Sequence, residues 1–316
     1  MKKLVLILYF LPHFLFAQNT ELSWWNGLEL QWKKTFLAVL EQKDSLYVPN
    51  TEQIRELLNM DTLAIIGAPS QFNKAIEFML KKDGIKQMTQ LNFELSNISG
   101  LKELRKLKVI ICADHQISDL SPIANHLSIR RLSVAENEIS SLKDLQKLDS
   151  IEILNYSGNQ VSDFSEILHL RSLRKLNCAG NGIESLEYLQ NFELLESLYC
   201  GKNELTSLKG IENLYKLKTL SCSQNMIKSL PELQNLCALE ELNIGQNQLE
   251  SLAEIGHLDR LQKLFCHQNF LSDLRGIEGL VKLTHLYCLP SHRVIKRSEI
   301  RRIEYILLLD CFSVFD

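Results

Sequence analysis

Nine residues stand at an unbroken 22-residue spacing: Leu107, Ile129, Ile151, Leu173, Leu195, Leu217, Leu239, Leu261 and Leu283. Each opens a pattern in which the first, fourth and sixth positions are apolar. Eight residues after the opening one, seven consecutive copies carry asparagine: Asn137, Asn159, Asn181, Asn203, Asn225, Asn247 and Asn269. A unit this short cannot bury its own apolar face. It must stack on its neighbours, so the chain builds a solenoid rather than a closed globule.

The position types follow from that stacking. Side chains alternate along a strand, so positions one, four and six face inward while three, five and seven face out. Parallel strands lie ~4.8 Å apart, so about ten copies make a curved sheet about 45 Å long. Asparagine closes each strand because its amide both donates to and accepts from main chain at a turn. The column is read as structural, satisfying backbone groups that would otherwise be buried without partners. Six of the eight cysteines, Cys112, Cys178, Cys200, Cys222, Cys266 and Cys288, take the sixth position. They are expected to be small buried hydrophobes. Metal binding is the competing reading, but no C-x-x-C pair is present and the histidines lack a tetrahedral-site spacing. Should any pair oxidise, Cys288 and Cys311 are the candidates.

The runs Leu173, Leu176, Cys178, Asn181, Ile183 and Leu217, Leu220, Cys222, Asn225, Ile227 resemble the 22-residue class of bacterial leucine-rich repeats, to which the internalin-like adhesins belong. The resemblance covers about two thirds of the chain. It implies an α/β solenoid, a leucine-rich-repeat horseshoe with a parallel concave β-sheet and helical N- and C-terminal caps. It does not carry over adhesion or invasion: no wall-anchoring motif, trailing immunoglobulin-like segment or C-terminal sorting domain is evident.

Four segments are expected. Residues 1–17 read as a secretory leader: Lys2 and Lys3, an apolar run from Leu4 to Leu11, then Leu15-Phe16-Ala17. That run is too short to span a bilayer, and no other stretch approaches 18 apolar residues. Residues 18–87 form an N-terminal helical cap. Trp25, Leu28, Trp32, Phe36 and Leu40 fall on one helical face, where tryptophan is core material before it is a binding site. Asn50 with Gln53 is an N-cap pair opening a second helix. Met60, Leu63 and Ile65 copy the repeat spacing and start the sheet, and residues 70–82 read as a further helix. Residues 88–293 are the array and 294–316 the C-terminal cap. The basic run of Arg293, Lys296, Arg297, Arg301 and Arg302 reads as a solvated cap face. The expected setting is export through the secretory pathway, to periplasm or outside.

Function must come from the outward columns. The fifth positions read Ile111, Ser133, Asn155, Asn177, Tyr199, Ser221, Asn243, Phe265 and Tyr287. The third read Val109, Arg131, Ile153, Lys175, Ser197, Thr219, Glu241, Lys263 and His285. Tyr199, Phe265 and Tyr287 are aromatics at positions that need not be buried, with His267 and His285 nearby. Aromatics among adaptable polar groups resemble a protein-binding hot spot. The expected site is therefore Tyr199, Phe265 and Tyr287 for affinity, with Lys263, Glu241 and His285 setting specificity. Glycan recognition by the same aromatics is the alternative. The net charge of −3 argues against a nucleic-acid partner. No G-x-S-x-G, P-loop or H-E-x-x-H motif is present, so neither catalysis nor a cofactor is expected.

Overall fold

The computed structural model describes residues 21–44, 46–68 and 88–288. The leader, the helix expected over residues 70–82, the basic run, the C-terminal cap and Cys311 lie outside the described residues.

The amino end is helical, but not one continuous helix as the apolar stripe predicts. Residues 21–27 are helical, the chain breaks at Leu28 and Glu29, and α1 (Leu30–Val39) follows. Gly27, a poor helix former, sits at the break. The stripe still faces inward: Trp25, Trp32 and Phe36 are buried, and the Trp32 and Phe36 rings lie 5.2 Å apart. Trp32 lies over Gly100, where a β-carbon would sit 2.2 Å from the indole. The second helix, α2 (Thr51–Asn59), opens on a complete capping box. Gln53 N–H donates to Asn50 Oδ1 at 2.9 Å, and Asn50 N–H donates back to Gln53 Oε1 at 3.0 Å.

The sheet is parallel and has eleven strands. They are β1 (Thr62–Ile66), β2 (Thr89–Gln90), β3 (Val109–Ala113), β4 (Arg131–Ser133), β5 (Ile153–Asn155), β6 (Lys175–Asn177), β7 (Ser197–Tyr199), β8 (Thr219–Ser221), β9 (Glu241–Asn243), β10 (Lys263–Phe265) and β11 (His285–Tyr287). From β3 to β11 spatial order follows sequence, and every pairing joins residues 22 apart. The start of the sheet departs from the sequence expectation. β1 does not lie at the edge but slots between β2 and β3, pairing Thr62–Ile66 with Val109–Ala113 along its whole length. Composition explains the swap: Leu63, Ala64, Ile65 and Ile66 are all buried, a strand apolar on both faces. The polar, two-residue β2 is left outside.

Short 3-10 turns such as Ser121–Ile123 and Pro231–Leu233 return the chain between strands. The inward leucines, from Leu132 to Leu264, are almost wholly removed from water. The asparagines tie each turn to the copy before it. Asn203 Oδ1 accepts from the N–H groups of Asn181 and Ile183, both at 3.0 Å. Its Nδ2 donates to the carbonyls of Cys178, Cys200 and Gly201 at 3.0–3.2 Å. The acceptor bond from the amide twenty residues earlier recurs in every copy from Asn137 to Asn269. Immediately before each asparagine the backbone is left-handed. Gly158 and Gly180 take that conformation readily, but Glu136, Lys202, Gln224, Gln246 and Gln268 are held there too. Non-glycine residues pay roughly 1–2 kcal/mol for it, so the ladder imposes the turn rather than merely decorating it. Asn203→Ala should therefore cost about 3 kcal/mol in urea unfolding, because it orphans two buried amides, while the three carbonyls each lose one of two donors. A loss under ~1 kcal/mol would show that water takes over those bonds.

His115 fills the asparagine position of the first regular copy, and its Nδ1 accepts from Leu95 N–H at 3.3 Å. The ring must stay neutral to accept, and burial lowers its pKa from 6.5 to about 4. Above pH ~6.5 folded and unfolded chains are both neutral at this ring. Between 6.5 and about 4 the unfolded chain takes up a proton that the folded one refuses. Stability falls with pH across that window by up to ~1.4 kcal/mol per unit. His126 is shifted the same way, chiefly by burial, and adds to the slope. His115→Asn restores the ladder residue and should flatten the His115 share. Urea midpoints at pH 7.5 and 4.5 test this, and an unchanged pH slope in the variant would refute it.

Candidate functional site

The concave face is not open along its whole length. Ile111, expected to face outward to solvent, is fully buried, and with Ala64, Ile66, Ala113 and Ala135 forms a second small apolar cluster on that side of the sheet. Arg131, Ser133 and Ser197 are buried as well. Around Ile111, β1 contributes: its outward residues Ala64 and Ile66 extend the apolar surface at this end, whereas Ser197, on β7, lies five strand steps away. The accessible outward columns run from β5 to β11.

Five of the six expected site residues meet on β9 to β11. The Phe265 and Tyr287 rings, register partners on neighbouring strands, stack with centroids 4.4 Å apart and planes within 4°. That separation nearly equals the ~4.8 Å strand spacing. Neighbouring strands set the two rings side by side, each turning one face to the other. In the third column Lys263 Nζ bonds Glu241 Oε2 at 3.2 Å. His285 lies next in register, its Nδ1 2.9 Å from Thr284 Oγ1. Tyr199 stands apart. It is exposed on β7, separated from Phe265 by Ser221 and Asn243, three strand steps or about 14 Å away. His267 lies over Gly245, whose absent side chain makes room for it: a β-carbon there would be 2.5 Å from the imidazole. Burial lowers the His267 pKa.

The fifth column also carries amides, two before Tyr199 and one just before Phe265. Asn155, Asn177 and Asn243 each accept, through Oδ1, from the backbone N–H two residues on, at 3.1–3.2 Å. Beside the columns run two features that inspection of outward positions alone passes over. The second positions alternate in charge, and Arg130–Glu152, Arg174–Glu196 and Lys218–Glu196 form ion pairs at 2.5–2.9 Å along the edge of the sheet. Hydrogen bonds from Lys218 and Arg174 lower the Glu196 pKa. On the other side, Glu166 caps the previous turn, accepting from Leu142 N–H at 2.5 Å and from the Ser141 hydroxyl, and Glu254 does the same for Leu230 N–H. Aligning the copies column by column exposes both patterns.

The sixth-position cysteines are buried and unbridged. Burial pushes the Cys112 and Cys178 thiols up to about 12, and those of Cys200 and Cys222 upward, as suits neutral core side chains. Among the described residues no three His, Cys, Asp or Glu gather where a metal could bind.

Comparison with known proteins agrees with this architecture. Residues 215–257 match the family model for leucine-rich repeats in two copies. No curated protein matches the chain by sequence. Among solved structures, an internalin from Listeria monocytogenes is 22% identical with a TM-score of 0.52, over 88% of this chain and 93% of that one. The functional domain of InlJ, also from Listeria monocytogenes and described as including a cysteine ladder, is 21% identical with a TM-score of 0.63, over 83% of this chain and 55% of that one. A leucine-rich-repeat protein of Leptospira interrogans is 22% identical with a TM-score of 0.58, over 82% and 79%. The chain is a leucine-rich-repeat solenoid. Its fold is similar to that of the internalin-like bacterial proteins.

The Glu241–Lys263 pair is well exposed, with side-chain exposures of 36% and 44%. Pairs of this kind add little to stability. Glu241→Gln and Lys263→Met should each shift the unfolding free energy by less than ~0.5 kcal/mol. A larger loss in a urea titration would mean that the pair serves the fold and not the surface.

Proposed function

We propose that this protein is an exported, non-catalytic interaction module that holds a protein partner on the concave face between β7 and β11. The observation that carries this reading is the stacked Phe265–Tyr287 pair: two large rings kept half-open to solvent beside an ion pair, where a purely structural sheet face has no need of them. Aromatic anchors beside charged groups are what protein-binding hot spots are made of. Tyr199 supplies a second, separate anchor. Lys263, Glu241 and His285 set which partner fits, through charge and hydrogen bonding at the rim. Export rests on the leader-like residues 1–17. Among the described residues no helix is long and apolar enough to cross a membrane.

The ring geometry weighs against a glycan. A sugar stacks on an aromatic face, and here one face of each ring is spent on the other ring. Affinity capture from envelope and culture-fluid extracts tests the proposal, with the Tyr199→Ala/Phe265→Ala/Tyr287→Ala form run in parallel. A protein retained by the native form should be lost from the variant, with affinity reduced at least ~100-fold. Equal retention by a folded variant would remove the site from this face.

A further inference from the structure

The sixth-position cysteines are not equivalent. In the copies of β10 and β11 they are Cys266 and Cys288, each directly after one ring of the stacked pair. The register sets Phe265 opposite Tyr287, and Cys266 N–H donates to the Tyr287 carbonyl at 2.8 Å, so the ladder continues to the two cysteines. Side chains alternate along a strand, which puts the thiols on the core side, behind the rings. Strands ~4.8 Å apart hold the two α-carbons within the ~4.4–6.8 Å window that a disulfide spans. The thiols already meet: Cys288 Sγ accepts a hydrogen bond from the Cys266 S–H. The other stacked cysteines lack these features. Cys178, Cys200 and Cys222 also follow one another in successive copies, but each is fully buried. Cys178 spends its S–H on the Tyr199 carbonyl at 3.5 Å instead of on the next thiol. Ile244 separates Cys222 from Cys266. By contrast Cys288 is 8% exposed and Cys266 2%. The hydrogen bond from Cys266 also holds the Cys288 thiol below its ordinary value, which favours the thiolate that attacks disulfides.

We infer that Cys266 and Cys288 are a reactive dithiol that closes to a disulfide by exchange with a disulfide oxidant, joining β10 to β11 behind the Phe265–Tyr287 stack. The Cys288 thiolate attacks one sulfur of the oxidant and expels the other as a thiolate. Cys266 then gives up its proton and attacks Cys288 Sγ in the mixed disulfide, forming the Cys266–Cys288 bond and releasing the second oxidant sulfur. Two electrons pass to the oxidant, which leaves as two thiols carrying the two protons. The proposed export delivers the pair to a setting where such bonds form and persist.

Oxidised glutathione added to the folded, reduced full chain tests this. After quenching with N-ethylmaleimide, tryptic peptides are read by mass spectrometry: Cys266 falls in 264–275, Cys288 in 283–293 and Cys311 in 303–316. The first two should appear joined. Cys288 should react at least ~10-fold faster than Cys178, Cys200 or Cys222. In Cys266→Ser, Cys288 should stop at the glutathione adduct, while Cys311→Ser should leave the link intact. A bond from Cys288 to Cys311, an adduct that persists on Cys288 of the native chain, equal reaction of the fully buried thiols, or an unmodified Cys288 would each overturn the inference. The native sequence alone decides it, even where a variant does not fold. Partner capture on the concave face is a separate measurement, so the dithiol and the protein-binding site can fail independently.

Discussion

Each turn of this molecule is held by an amide that lies in the next copy. A solenoid strand of three residues cannot satisfy its own ends, and the residue before each asparagine is bent into a conformation that most side chains avoid. One asparagine per copy resolves both problems. It accepts from the copy before it and donates across the junction, so no copy is complete alone. Cooperativity between neighbours is therefore built into the hydrogen bonds as well as into the leucine stack. His115 shows the limit of substitution. It supplies the acceptor, yet its buried Nε2 has no partner among the described residues, and its service depends on remaining uncharged.

Because the inward and turn positions are so fully committed, variation on the concave face falls in columns three, five and seven. The frame repeats while the surface does not, and the concave face divides into unlike zones. Near β3 it is apolar and closed. Through β5 and β6 it is amide, and at β10 and β11 aromatic. A surface assembled this way sets different chemistry at fixed intervals of ~4.8 Å, which is the property a recognition face needs and a spacer does not.

The period, the inward leucines, the buried cysteines and the role of the asparagines are legible in the sequence because each is enforced in copy after copy. The capping box at Asn50 and Gln53 is legible for a similar reason: it is local. Two kinds of feature are not. The place of β1 depends on which of two candidate strands has more apolar surface to hide, a comparison between distant segments. The parallel stacking of Phe265 on Tyr287 depends on rotamers, which no spacing rule specifies. The outward columns place Lys263, Glu241 and His285 near that stack, yet they cannot show how the two rings meet or that Ile111 is covered. Burial on an outward face is a tertiary fact.

The exchange of β1 and β2 leaves the first side of the sheet ending in two polar residues instead of a five-residue strand with four apolar ones. An uncovered strand edge is a template on which another chain can add its own strand, and long apolar edges are the hazardous ones. By turning its most adhesive strand inward and setting Thr89 and Gln90 outside it, the molecule gives a second copy little to align with at that end. A horseshoe built from repeats that stack so readily on one another is thereby kept from continuing into a filament through that side of its sheet.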